Sequence, residues 1–171
     1  MRIAVLLSFN ERAAVRLLNH LARENAIILR EHPDLPLLYD SGVIYRREAD
    51  ETWCDFMTLL VQGHEDCDGL AAARAGELLA RGHRALRSGD GGFEAARARR
   101  LSTIQAEVML RTRTAPNEPG LYHCIVRYWV AGKEHRDDPS ARLGMNGQID
   151  PTVRRRWSAL DIERATWRTD G

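Results

Sequence analysis

Cys67, His123 and Asp138, in that order along the chain, have the side chains needed to make an activated thiolate nucleophile. Cys67 opens a helix-like run in Gly63-His64-Glu65-Asp66-Cys67-Asp68-Gly69-Leu70-Ala71, His123 begins a strand-like run, and Asp138 follows a turn in Asp137-Asp138-Pro139-Ser140. A cysteine attacks only as thiolate, and a helix N-terminus lowers its pKa because unpaired backbone N–H groups and aligned peptide dipoles favour negative charge. Asp66 is the expected N-cap, which places Cys67 where that effect is greatest. Glu65, Asp66 and Asp68 oppose it, because neighbouring carboxylates disfavour a further negative charge. A cationic His123 must outweigh them, and an aspartate must orient the imidazole.

Which aspartate does so depends on strand register. A two-residue turn on Ala131-Gly132 sets Ile125 opposite Asp138 and His123 opposite Ser140. His123 and Asp138 are then diagonal neighbours on one sheet face, about 7–8 Å apart at the backbone, and Asp137 points away. A three-residue turn reverses the parity and favours Asp137.

The elements that must hold these residues can be read from periodicity. Ala14, Leu17, Leu18, Leu21 and Ala22 recur at helical spacing, so a helix is expected over 10–32, ending before Pro33. Val43-Ile44-Tyr45 reads as a short extended piece, and Trp53, Phe56, Met57 and Leu60 as the apolar face of a helix closed by Gly63. The helix that begins at Cys67 is expected to stop at Gly82. Ser88 to Gly92 reads as a turn, and Phe93 to Arg100 is basic and Ala-rich without a clear period. Ile104, Ala106, Val108 and Leu110 alternate with polar residues, which is the pattern of a half-buried strand, and a second strand runs from Leu121 to Val130. Helices first and an antiparallel sheet second define an α+β fold. One domain is expected over 1–149, followed by a basic, Trp-containing tail over 150–171 that is a packed helix or an arm held by a partner.

Bulk properties narrow the function. A chain of 171 residues, 44% hydrophobic, is long enough to bury one core, and a net charge of +1 provides no field to recruit nucleic acid or an anionic membrane. No apolar run approaches the roughly 20 residues of a membrane span. Met1 to Phe9 resembles the start of a secretory signal, but Asn10-Glu11-Arg12 stands where a cleavage site belongs, so a mature N-terminal element is expected. Three cysteines fit reduced thiols in a cytosol-like compartment better than a disulfide framework. Cys54 and Cys124 read as core residues. A zinc site from Cys54, His64, Cys67 and His123 lacks close Cys-x-x-Cys spacing, so no metal or other cofactor is expected. Arg97-Ala98-Arg99-Arg100 reads as a solvated face rather than a nucleic-acid site.

Leu38-Tyr39-Asp40-Ser41-Gly42-Val43-Ile44-Tyr45, Trp53, the Cys67 block, His123-Cys124-Ile125-Val126-Arg127 and Asp138-Pro139-Ser140-Ala141-Arg142-Leu143-Gly144-Met145 together resemble the phage-encoded branch of transglutaminase-like cysteine proteases. The resemblance spans roughly residues 37 to 145. It implies a transglutaminase/papain-like α+β core with Cys67 as nucleophile, His123 as general base and acid, and Asp138 as the orienting carboxylate. It implies acyl transfer at a carboxamide, on a peptide or protein, by a protein made in the host cytoplasm. The structural alternative is a non-catalytic head, neck or tail component, homo-oligomeric or bound to other virion and assembly proteins. The oxyanion of acyl transfer needs two donors. The backbone N–H of Cys67 is the natural first, and Gln62 and Trp53 are candidates for the second. The family pattern Gly-Asp-Cys-Asp-Asp is altered here, with Glu65 before Asp66 and Gly69 after Asp68. Glu65 is expected to crowd the thiol, and Gly69 to remove a polar contact.

Overall fold

The computed structural model describes residues 2–4, 11–48, 52–87, 105–112 and 122–151. Helix α1 (Glu11–Glu31) buries a stripe of Ala14, Leu18, Leu21, Ala22, Ala26 and Leu29, which is the expected helix with nearly the expected ends. A short 3-10 turn (Leu38–Asp40) follows, then strand β2 (Ile44–Tyr45). Ahead of α1 lies strand β1 (Arg2–Ala4), which pairs antiparallel with β3 (Thr52–Cys54), Ile3 opposite Trp53.

That pairing corrects the helix expected around Trp53. Asp55 caps helix α2 (Phe56–Gln62) by accepting the Thr58 N–H at 2.9 Å, so the helix begins only after the strand has ended. The apolar residues on either side of Asp55 belong to two elements. Gly63, with φ of 75°, closes α2 in the left-handed conformation that glycine adopts without a Cβ clash. Strand β4 (His64–Glu65) then pairs in parallel with β2.

Helix α3 (Cys67–Arg87) is the central element. It runs through Gly82 rather than stopping there, since a glycine inside a helix costs only about 1 kcal/mol. Ala71, Ala72, Ala75 and Leu78 join a cluster with α1, Trp53 and the main sheet, while Leu70, Ala73 and Ala80 join a second with α2 and the 3-10 turn. Small side chains let a helix be enclosed on so many sides. The closest approach is at Gly76, where a Cβ would lie 2.6 Å from Asn25 Cβ and 2.7 Å from the Ala22 carbonyl oxygen. Asn25 sits fully buried at this crossing and accepts the Phe56 N–H at 2.8 Å, tying α1 to the start of α2.

The main sheet is antiparallel, in the order β5 (Gln105–Thr112), β6 (Tyr122–Val130), β7 (Lys133–Asp137), followed by helix α4 (Pro139–Arg142). Val108 on β5 and Cys124 and Val126 on β6 face α1 and α3. Ala131 and Gly132 have φ of 51° and 80°, the pair of positive values that a two-residue hairpin turn requires. Val130 therefore pairs with Lys133 and Val126 with Asp137, the register that puts Asp138 beyond Ile125. Helices packed on a small antiparallel sheet make the chain α+β. No helix among the described residues is long and apolar enough to cross a membrane. The stretch Phe93 to Arg100 and the tail beyond residue 151 lie outside the described residues.

Candidate active site

Cys67 is the first residue of α3. The Asp66 carbonyl accepts the Leu70 N–H at 3.1 Å and its carboxylate accepts the Asp68 N–H at 3.3 Å, so Asp66 caps the helix as its sequence position suggests. The Cys67 N–H has no acceptor among the described residues, leaving it available to a developing oxyanion.

His123, on β6, is buried, and its Nε2 lies 2.8 Å from Asp138 Oδ2. Cys67 acts on the same imidazole and raises its pKa further. The other oxygen of Asp138, Oδ1, accepts the Ala141 N–H at 3.0 Å, so one carboxylate both caps α4 and orients the imidazole. Pro139 at the start of α4 fits this cap, since a first-turn proline lacks only an N–H that the helix leaves unpaired.

β7 pairs only as far as Val126, which leaves the part of β6 that carries His123 and Cys124 without a β7 partner. Cys124 lies beside Cys67, and its thiol and backbone N–H both act to lower the Cys67 pKa. Cys124 was read from the sequence as a core residue only. It is buried, but its thiol also faces the nucleophile, and its place directly after His123 was the available signal.

Charge follows from this geometry. The Cys124 thiol donating to it pulls the Cys67 pKa down, against burial, and His123 and the Cys124 N–H bring it to about 5. Cys124 moves the opposite way, far above an ordinary thiol, because it keeps the proton it donates and is buried. His123 rises to about 9, first through the Asp138 hydrogen bond and then through that to Cys67, with burial opposing. For Asp138, burial pulls upward but the hydrogen bonds from His123 and the Ala141 N–H outweigh it, and its pKa falls. The favoured state near neutrality is a thiolate–imidazolium pair.

The acidic neighbours oppose this less than their number suggests. Burial raises Glu65 to about 7 and Asp66 to about 6, and burial together with the Asp66 hydrogen bond holds Asp68 well above the carboxylate range. Glu65, Asp66 and Asp68 have oxygens within 4.8 Å of one another, and no three of Cys54, His64, Cys67 and His123 gather as ligands among the described residues.

The donor groups of Gln62 and Trp53 are engaged by other partners in the structure. Gln62 Nε2 donates to Glu48 Oε1 and to the His64 carbonyl, both at 3.0 Å, and Trp53 Nε1 donates to Asp68 Oδ2 at 2.6 Å.

Glu65 does not crowd the thiol. Its buried side chain turns over Gly69, with Oε2 accepting the Cys54 thiol at 2.9 Å and Oε1 the Asp66 N–H at 3.2 Å. A Cβ at residue 69 would lie 2.3 Å from Glu65 Cγ and 2.7 Å from Cδ. Residues 65 and 69 are therefore sterically coupled, the glycine leaving free the volume that the glutamate fills. Gly69→Ala alone is expected to destabilise the fold by about 1–3 kcal/mol, as overpacking does. Added to Glu65→Ala, the same change is expected to stabilise by up to about 1 kcal/mol, through helix propensity. Urea denaturation of the four proteins measures both steps, and the same sign in both backgrounds would rule out the coupling.

Comparisons of this chain with family models, with curated proteins and with solved structures found no match. Fold and site together define an α+β protein with a Cys–His–Asp constellation at a helix N-terminus.

Proposed function

We propose that this chain is a transglutaminase-like cysteine hydrolase of the papain-like kind, acting on a carboxamide of a peptide or protein. The observation that carries the reading is the buried His123, whose Nε2 lies 2.8 Å from Asp138 Oδ2 and whose imidazole lowers the pKa of Cys67 at the start of α3. In the reaction the Cys67 thiolate attacks the carboxamide carbon, and the oxyanion forms against the Cys67 N–H. The tetrahedral adduct collapses as the His123 imidazolium protonates the departing amine, leaving a thioester on Cys67. Neutral His123 then takes a proton from water or from a second amine as it attacks the thioester, releasing acid or transferred amide and restoring the pair. Asp138 keeps the imidazole oriented throughout and stays ionised.

Alkylation of Cys67 by iodoacetamide, mapped by mass across pH, tests the reading. The expected midpoint lies near 5, and a further rise is expected near 9, when the imidazolium loses its proton and the sulfur becomes more basic. Cys54 and Cys124 are expected to stay unmodified, being buried and far from ionised. A Cys67 midpoint at about 8.5, the free-thiol value, would overturn the enzymatic reading and leave a binding protein built on the same fold.

A further inference from the structure

Asp137 and Asp138 compete in the sequence for one role, and the structure gives each a different partner. Asp138 meets His123, whereas Asp137 turns to the other side and accepts Arg74 Nε through Oδ2 at 2.7 Å. Arg74 lies seven residues after Cys67 on α3, nearly two turns on, so the two side chains leave the helix within about 20° of each other and about 10 Å apart along its axis. The pair is buried on both sides. Arg142, on α4, brings a second guanidinium to within 3.9 Å of Asp137 Oδ1. The guanidinium carbons of Arg74 and Arg142 lie 4.7 Å and 4.0 Å from the ring centre of Tyr39. Asp137 is thus gripped from the helix that carries the nucleophile and from the helix that Asp138 caps.

We infer that Arg74 and Asp137 are positioning residues of the Cys67–His123–Asp138 site: their buried ion pair fixes the end of β7 to α3, so that the next residue, Asp138, is delivered to His123. The inference rests on the acyl-transfer reading. It follows from the topology, because nucleophile and carboxylate lie on elements far apart in sequence whose separation must be held to a fraction of an ångström. Asp138 sits where β7 has ended, so no ladder hydrogen bond with β6 holds it. The Arg74–Asp137 bond is the tie one residue away that runs straight to the helix bearing Cys67.

The test is the pH midpoint of Cys67 alkylation in the full chain, with circular dichroism to verify folding. Asp137→Ala is expected to raise the midpoint by about one unit, because an imidazolium no longer aimed at the sulfur stabilises the thiolate less. Asp137→Asn, whose amide oxygen still accepts from Arg74, is expected to stay near the unsubstituted value. Asp138→Asn keeps an N-cap but removes the carboxylate, and is expected to raise the midpoint as Asp137→Ala does. Because one acts through the other, Asp137→Ala/Asp138→Asn is expected to shift no further than Asp138→Asn alone. If Asp137→Ala does not fold, Arg74→Lys, which keeps a charge for Glu77 without the Nε–H, takes its place in the same comparison. A low midpoint that the folded Asp137 or Arg74 variant leaves unmoved, or shifts that add, would overturn the positioning role alone. An ordinary midpoint in the unsubstituted protein would overturn the acyl-transfer reading, and the inference with it.

Discussion

Replacing His123 by alanine is expected to raise the alkylation midpoint of Cys67 by one to two pH units and to abolish the second rise near pH 9. The imidazolium contributes a hydrogen bond and a charge to the sulfur, whereas the Cys124 thiol and backbone N–H remain in the variant and still favour the thiolate. The shift should therefore stop short of the ordinary thiol value. The sign is fixed: a group whose pKa is lowered by a cation is protonated at higher pH once the cation is gone, so the acid limb moves up. Each unit corresponds to about 1.4 kcal/mol of thiolate stabilisation. The midpoint is the quantity to read, because a more basic thiolate is also more nucleophilic, and rates at one pH partly cancel. An unchanged midpoint would show that His123 does not act on Cys67.

Glu77→Ala is expected to be the most damaging single change outside the site, lowering stability by about 2–4 kcal/mol, through loss of one buried ion-pair partner and an orphaned backbone N–H. Glu77 is 1% exposed. Its Oε1 accepts Arg74 at 2.6 Å and Arg81 at 2.8 Å, and its Oε2 accepts the Leu38 N–H at 3.0 Å. Removing it leaves the buried Arg74 with Asp137 as its remaining carboxylate partner and orphans the N–H that anchors the 3-10 turn. Against a typical total of about 5–15 kcal/mol, that loss is large. Glu77→Gln keeps the acceptor for Leu38 and should fall between. By contrast, the exposed Arg136–Glu134 pair, at 3.1 Å, is of the kind that contributes about 0–1 kcal/mol. Urea titration measures both variants, and a loss under about 1 kcal/mol for Glu77→Ala would show that the cluster does not hold the fold.

Local rules gave what depends on neighbours in sequence. The Ala131-Gly132 turn set the hairpin register and chose Asp138 over Asp137 for the His123 face, and Asp66 marked the start of α3. What was missed depends on partners distant in sequence. Trp53 is extended because Ile3, fifty residues earlier, pairs with it, and an apolar run that short has no period to separate strand from helix. Gln62 and Trp53 looked like free donors because nothing nearby in sequence shows that Glu48 and Asp68 take their N–H groups. The helical pattern after Cys67 was legible, but not that Arg74 on the same face reaches β7.

The packing of Glu65 over Gly69 also restricts how such sequences can diversify. Any side chain at residue 69 collides with a glutamate at residue 65 held on two sides by Cys54 and the Asp66 N–H, so the combination of Glu65 with a larger residue 69 is sterically closed. A lineage moving between a small residue followed by an aspartate and the arrangement found here must pass through a form with both positions small. Glycine at 69 has to arrive before glutamate at 65, and glutamate has to leave before glycine can. Glycine at 69 cannot revert while glutamate stands at 65, so the two positions change in a fixed order.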